Sequence, residues 1–395
     1  MELRPATAEE SDAFSVAVLT AFHEELTDEL RKRYLKIDEP ERSLAWFDEG
    51  SIVGTSGLFS RAITVPGGAH VPFAAVTAIA VLPTHRRRGL LTGMMRGQLE
   101  NIRDAGEAVA ALWASEAAIY GRFGFGVAAQ TLELSARRPA ARLRTPPEPV
   151  TLRAGAAGEH VAAMRGIHDR VVPTRPGMLT RPGPWWEERL YDPESEREGA
   201  TPLRAVVCDE GYALYAVKRK WDDDGPAAQV VVRELVSASP AGHAAIWAYL
   251  LDLDLTRTVT WELAPSDDPL WLALADPRAL RRTLWDALWV RIVDVPAALS
   301  ARTYASDPDV VIEVRDAFCP WTEGRYELSA SGCAPTGREP DLVLEAAALG
   351  AAYLGGTTLL DLAGAGRVEE RTPGSLARAS AAFRGDVAPW CPEIF

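Results

Sequence analysis

The stretch Val76–Gly126, VTAIAVLPTHRRRGLLTGMMRGQLENIRDAGEAVAALWASEAAIYGRFGFG, concentrates the residue types able to do chemistry. An apolar run bounded by Pro83 leads into THRRR and then into a helix whose first turn is Gly89-Leu90-Leu91. The first N–H groups of a helix have no intrahelical partner and sit at its positive dipole end, so such a start can hold an anion. Gly89 would let a diphosphate approach the backbone closely, and Arg86, Arg87 and Arg88 would add charge around it. A solvated basic turn is the alternative, and it has weight because 38 of the 42 basic residues are arginine. Glu24, Glu25, Asp28 and Glu29, together with Glu393, are candidates for holding a cation, although charge runs of this kind are also ordinary solvated faces.

The elements that must position these residues alternate between strand and helix, a mixed α/β (α+β) pattern. Glu2–Pro5 reads as a short strand, and Ala8–Leu26 as a helix opened by a capping pattern at Thr7 to Glu10. Strands follow at Ser43–Asp48 and Ser51–Thr64, with a buried strand at Val76–Leu82. Leu91, Met95, Leu99 and Ile102 share one face of the helix that starts at Gly89 and stops near Gly106, and Ala108–Trp113 reads as the next buried strand. Ala136–Val150, rich in Arg and Pro, is the best linker candidate. Beyond it, strands are expected at Arg204–Cys208, Gly211–Val217 and Ala228–Leu235, with helices at Ala241–Asp252 and Pro277–Trp285. A third unit begins near Leu288, with strands at Val310–Val314 and Arg325–Ser329 and a helix at Asp341–Leu349.

Composition removes several function classes. A net charge of −13 argues against a general nucleic-acid binder and fits cationic small partners better. The four cysteines, Cys208, Cys319, Cys333 and Cys391, are scattered, and the six histidines show no ligand spacing, so no metal site is expected. The start MELRPATAEE has no apolar signal core, and no apolar run approaches the ~20 residues of a membrane span, which makes the cytoplasm the expected location.

A buried strand followed by R-x-x-G-x-x, and a YGRFGF segment about thirty residues later, resembles the GNAT acetyltransferase superfamily. The fuller set THRRRGLL and ASEAAIYGRFGFG is similar to the enhanced intracellular survival (Eis) family of N-acetyltransferases. GYALYAV at Gly211–Val217, DALWVRIVDVPAALSARTY at Asp286–Tyr304, YLGG at Tyr353–Gly356 and the final AAFRGDVAPWCPEIF extend the likeness over nearly the whole chain. The resemblance implies two tandem GNAT-like domains, the first active, and a sterol-carrier-like C-terminal domain. The corresponding spans are 1–140 for the acetyl-CoA domain, 150–290 for a second domain without the RRxG loop, and 291–395 for the last. It also implies homohexamers and a substrate class of aminoglycosides, polyamines or lysine-type amines.

By match to the family motif, acetyl-CoA contacts fall on Ile79, Ala80, Val81, Arg87, Arg88, Gly89, Leu90, Leu91, Thr92, Ser115 and Glu116. The same match makes Tyr120 the general acid, a role its chemistry suits: a phenol with a reference pKa near ~10 stays protonated at neutral pH. The family's general base is the α-carboxylate of a terminal phenylalanine, here Phe395. With a reference pKa near ~3.5 that carboxylate is a weak base unless burial raises it, and most chain ends fray. Val387, Trp390, Ile394 and Phe395 offer apolar anchors for the tail. The competing readings are a lipid- or sterol-binding protein and an inactive CoA-binding scaffold; bound lipid without stabilisation by coenzyme A would favour the former.

Overall fold

Gly67 and Gly68, after Pro66, fold the chain back on itself with φ of +100° and +84°, and the turn is closed by Val65 N–H donating to Ala69 O at 2.9 Å. This turn joins strands β3 (Ser51–Thr64) and β4 (His70–Val81), the centre of the first sheet of a computed structural model that describes all 395 residues. Before them come β1 (Glu2–Pro5), α1 (Ser11–Phe22), α2 (Asp28–Tyr34) and β2 (Leu44–Asp48). After them come α3 (Leu90–Asp104), β5 (Val109–Trp113), α4 (Ala117–Tyr120) and β6 (Gly126–Val127). The sheet order is β1-β2-β3-β4-β5, then a strand from far along the chain, Leu288–Ile292, then β6.

The two faces of this sheet follow from strand alternation. Gly57, Phe59 and Arg61 of β3 pair with Thr77, Ala75 and Phe73 of β4, so these side chains share one face. Leu58, Ala74 and Val76 point the other way, into a core with Met95, Leu99 and Ile102 of α3 and with Tyr120, Phe123 and Phe125. Helix α3 ends at Asp104, and Gly106, φ +75°, turns the chain away from it, with Glu107 N–H donating to Ile102 O and Gly106 N–H to Arg103 O.

Contact density divides the chain into two units. One holds Met1–Ala129, Ala287–Asp386 and Glu393–Phe395; the other holds Gln130–Asp286 and Val387–Pro392. In the second unit, β7 (Gln130–Arg137) lies between Leu280–Asp286 and Thr256–Pro265, and the sheet continues through Ala228–Ser237, Gly211–Lys218, Arg204–Cys208 and Arg153–Ala156. Its core contains Trp186, Trp247 and Trp261 and a buried ion cluster in which Arg181 and Arg189 both meet Glu234 at 2.9 Å. In the first unit, a five-stranded sheet formed between Val310 and Glu370 makes a separate layer. Helix Ala346–Ala352 packs against β6 and Leu288–Ile292 so closely that a Cβ on Gly126 would lie 1.9 Å from Ala347 O, and one on Gly350 2.2 Å from Val290 O.

Four local expectations are corrected. Pro277–Trp285 is not a helix: Asp276 does cap Pro277–Ala279, but that single tight turn gives way to strand Leu280–Asp286, whose backbone pairs with β7. Asp341–Leu349 is split between a strand, Leu342–Glu345, and the start of the helix at Ala346. Ala136 and Arg137 are not linker, because β7 runs to Arg137 and pairs there with Thr258. The expected helix Ala8–Leu26 ends earlier, at Phe22, where His23 turns left-handed with φ 64°.

Candidate active site

Strand β4 makes an unusual pair of partnerships. Towards β3 it is bonded along most of its length, but its parallel pairing with β5 is confined to Ala74 with Ala110 and Ala75 with Ala111. From Val76 onward the two strands diverge, and the edge of β4 facing β5 is left open as far as Val81. Backbone groups on such an edge must find partners elsewhere, which makes it a ready template for an extended ligand. A distortion in mid-strand accompanies the divergence. Ala78 has φ +49°, the β3 register slips between Thr55 and Gly57, and Thr55 Oγ1 donates to Ala78 O at 2.8 Å.

The loop after β4 delivers the chain to α3. Gly89 is the cap, with φ +83°, and a Cβ there would meet nothing within 4 Å, so it is the backbone conformation that favours glycine. Arg87 also has positive φ, at 63°. The start of α3 is braced from below by Trp46, whose Nε1 donates to Leu90 O at 2.9 Å, while His85 Nε2 lies 3.1 Å from Asp48 Oδ2. The first N–H groups of α3 therefore stand beside the open edge of β4 in a region rich in arginine.

Between these features lies a cavity of about 520 Å³. Ile79, Ala80, Val81, Arg87, Gly89, Leu90, Leu91, Thr92, Ser115, Glu116 and Tyr120 all line it. Arg88, named with them from the sequence, is not in the lining. Arg86, expected to add charge at the loop, also lines it, and residues that the sequence did not point to complete the wall: Ala21 and Phe22 from the end of α1, His85 from the loop, and Ile119 and Arg122 beside Tyr120. His85, Ile119 and Arg122 adjoin motif residues, so proximity in the chain was a usable signal. Nothing in the pattern of α1 marked Ala21 or Phe22.

Tyr120 ends α4, is 5% exposed and packs edge-on against Phe125 with ring centres 6.2 Å apart. Burial, and then the charge of Glu116, push its phenol above the ordinary tyrosine value, which keeps it protonated well past neutral pH. The turn after it is clamped from the last part of the unit. Phe318 stacks edge-on against Phe123 at 4.9 Å, and buried Arg291 lies under Gly124 and pairs with Asp316.

The final residues also belong to this unit. Glu393 and Arg61 form a buried ion pair at 2.9 Å, and the ring of Phe395 meets that of Phe73 at 6.0 Å. Arg61 and Phe73 are direct cross-strand partners, so the tail crosses the hairpin on the face opposite the Tyr120 core. Glu393, considered from the sequence as a cation holder, is engaged by Arg61. Of the other candidates, Asp28 meets Arg31 at 2.6 Å on the surface, and Glu24 alone lines a cavity.

Comparison with known proteins agrees with this geometry. Acetyltransferase (GNAT) domain models match residues 2–128 and 177–292, and a sterol carrier protein domain model matches 295–392. An uncharacterized N-acetyltransferase of Streptomyces avermitilis is 45% identical over 379 residues, covering 93% of this chain and 92% of the relative. N-acetyltransferase Eis of Mycobacterium tuberculosis is 36% identical over 350 residues, covering 85% of this chain and 84% of its own. The crystal structure of Eis1 from Mycobacterium abscessus superposes with a TM-score of 0.88 at 34% identity, over 100% of both chains. The GNAT fold implies use of acetyl-CoA, and the open β4 edge, the helix start and the 520 Å³ cavity fit an extended ligand with a diphosphate at one end. No helix is long and apolar enough to cross a membrane. With two GNAT domains, a sterol-carrier-like domain and this degree of identity along the chain, the protein belongs to the Eis family of GNAT N-acetyltransferases.

Proposed function

We propose that the enzyme transfers the acetyl group of acetyl-CoA directly to a primary amine, with Tyr120 as general acid and the α-carboxylate of Phe395 as general base. The observation that carries this reading is the gathering of Tyr120, the open edge of β4 and the start of α3 around one cavity. Acetyl-CoA supplies an activated acetyl group and a thiolate that must leave. Ile79, Ala80 and Val81 would hold its arm through backbone groups, as an added strand is held. The first turn of α3, from Gly89 to Thr92, with Arg87 would hold its diphosphate, and Ser115 and Glu116 would close the opposite wall. Arg88 would act through charge from outside the lining.

Tyr120 donates its proton to the departing sulfur, a role that its raised pKa favours by keeping the proton available. The Phe395 carboxylate accepts the proton that the ammonium must lose before its nitrogen can attack. The Arg61–Glu393 pair and the Phe73–Phe395 contact support this role by ordering the tail. Aminoglycosides, polyamines and lysine side chains are the acceptor classes that the family resemblance suggests. A homohexamer is part of the same reading, favoured by Leu284 and Trp285, which stand 52% and 54% exposed on the edge strand of the second sheet.

The test is thiol release from acetyl-CoA against a panel of these amines, with Tyr120→Ala and a chain extended beyond Phe395. Both variants are expected to fold and bind acetyl-CoA but to lose transfer. Full activity in the extended chain would remove the carboxylate from the mechanism, and light scattering of the parent protein tests the hexamer.

A further inference from the structure

The second sheet repeats the device that opens β4 in the first. Its parallel strands Ala228–Ser237 and Thr256–Pro265 pair from Ala228 with Thr256 to Val232 with Trp261, and there the pairing stops. The register of Ala228–Ser237 against Gly211–Lys218 slips at the same point, leaving Arg233 as the extra residue. A helix, Pro240–Asp252, follows, as α3 follows β4. Its start differs from that of α3. Ser239 Oγ accepts from Gly242 N–H at 3.1 Å, and Pro240 has no N–H to offer, so the chain supplies its own cap. No arginine lies between Ser237 and Gly242, whereas Arg86, Arg87 and Arg88 precede Gly89.

Where these two strands part, the chain's own tail takes the place. The ring of Trp390 meets that of Trp261 edge-on with centres 6.0 Å apart, and its Nε1 donates to Leu263 O at 2.7 Å. Its backbone N–H donates to Pro176 O at 2.8 Å. Gly177, φ +91°, lets the two segments touch, since a Cβ there would lie 3.0 Å from Trp390 N and O. Two residues earlier, Ala388 N–H donates to Asp267 Oδ2 at 2.9 Å, and Ala388 O accepts from Arg175 Nη1 at 3.1 Å. Arg175 and Asp267 themselves pair at 2.6 Å. Trp390 is 3% exposed, so its ring, its indole N–H and its backbone N–H are all engaged in one seat. That seat lies wholly in the unit that holds Gln130–Asp286, yet three residues on, Glu393 belongs with Arg61.

We propose that the second GNAT domain serves this enzyme as the receptor for its own C-terminal tail, with Trp390 as the anchor and as a positioning residue for the Phe395 carboxylate. The divergence that offers an open edge to a ligand in the first sheet is here taken by an indole. A large buried ring and two engaged N–H groups give Trp390 the hold that a frayed terminus lacks. Trp390 and Glu393 are three residues apart, at most about 10 Å of extended chain, so seating the indole confines Glu393 and the terminus to a small volume. Without the seat the free segment runs back to Gly385, whose N–H donates to Gly355 O, and docking the terminus must order all of it. This inference rests on the proposed role of the Phe395 carboxylate, and the two fail in different ways.

The experiment uses the full chain with Trp390→Ala, Trp390→Phe and, at the partly exposed edge of the seat, Asp267→Ala. Carboxypeptidase digestion reads the tail, and thiol release from acetyl-CoA with a capped lysine peptide reads kcat and KM from about pH 7 to about pH 9. Trp390→Ala should be digested roughly tenfold faster or more, because cleavage follows the population of the released tail. Its kcat should fall about tenfold or more at neutral pH, with KM for acetyl-CoA within about twofold of the parent. Its activity should then climb towards the parent's by about tenfold per pH unit, since an amine with a pKa near ~10.4 arrives increasingly deprotonated and has less need of a base. A merely structural loss would not mend with pH. Trp390→Phe keeps a ring but not the bond to Leu263 O, and Asp267→Ala loosens Ala388 while leaving the buried core filled, so both should fall between Trp390→Ala and the parent. Asp267→Ala decides the matter if Trp390→Ala does not fold. A tail that stays undigested in these variants overturns the inference and leaves the carboxylate reading. Rapid digestion at parent activity overturns the carboxylate as base and leaves the seat. Activity lost equally at every pH overturns the positioning role. No thiol release by the parent overturns the reaction, and digestion still decides the seat.

Discussion

Glu393→Gln isolates the contribution of the tail. The Arg61 and Glu393 side chains are 1% and 8% exposed, so the substitution leaves a guanidinium buried without its anion. Removing one partner of such a pair costs about 3–5 kcal/mol if the remaining charge stays buried. The chain can avoid most of that cost by releasing residues 393–395 and letting water reach Arg61. Near the lower bound, ~3 kcal/mol shifts the docking equilibrium by about 100-fold. The Phe73–Phe395 contact remains and offsets part of it, by ~0.5–1.5 kcal/mol beyond its burial. The expected result is a roughly 10- to 100-fold fall in kcat/KM for acetyl transfer, with acetyl-CoA affinity and melting temperature close to the parent. Carboxypeptidase digestion of the last residues should quicken in step. Arg61→Met combined with Glu393→Leu replaces the pair by an apolar contact and should restore much of the protection. Parent-level activity in a Glu393→Gln variant whose tail is rapidly digested would refute the idea that a docked tail takes part in catalysis.

Three further outcomes can be checked directly. Tyr120→Phe keeps the ring against Phe125 but removes the proton donor; stopped-flow or steady-state assays should show kcat down by about 10²–10⁴ with little change in acetyl-CoA binding. Gly89→Ala forces a side chain into φ +83°, a cost of about 1–2 kcal/mol, so calorimetry should show acetyl-CoA binding weakened roughly tenfold even though the added methyl meets no neighbour. Burial alone would raise the Glu234 carboxyl, but the Arg181 and Arg189 guanidiniums overcome it and hold it far below the usual carboxylate range. A depressed carboxyl stabilises the fold above its unfolded value, near ~4.3, and loses that contribution as pH falls, so scanning calorimetry should show the unit containing residues 130–286 weakening below about pH 4, and Glu234→Gln should weaken it at neutral pH.

The cofactor side of the site was readable because its determinants are local. A buried strand, a glycine with positive φ and a helix face at Met95, Leu99 and Ile102 are all encoded within thirty residues, and those three side chains are fully buried. Met94 and Gln98 are buried too, which the periodicity did not indicate. Gly93 and Gly97 bring α3 so near β2 that added Cβ atoms would meet Trp46 at 2.9 Å and Leu44 at 3.1 Å, closing over the flank of the helix. The misreading of Pro277–Trp285 has a similar origin. Its capping aspartate and proline are a true helix-start signal, and only pairing with the distant strand 130–137 turns the next residues into an extended strand. The cavity that Glu24 lines was invisible for the same reason, since Phe14, Phe59 and Asp38 come from three separate parts of the chain with no common period.

The strand order has a consequence for how the molecule comes into being. Residues 288–292 fill the gap between β5 and β6, two strands made more than 150 residues earlier, while β7, which directly follows β6, departs to another sheet. At about 5–20 residues per second on the ribosome, the first sheet waits on the order of ten seconds or more with the position between β5 and β6 vacant. During that interval β5 and β6 expose edges that any extended segment could pair with. Truncated forms ending anywhere before residue 292 should therefore be chaperone clients or aggregates, however complete their cofactor loop. The tail that docks Glu393 on Arg61 is threaded last of all, so if its carboxylate serves as the proposed base, activity would be the final property to appear in a newborn chain.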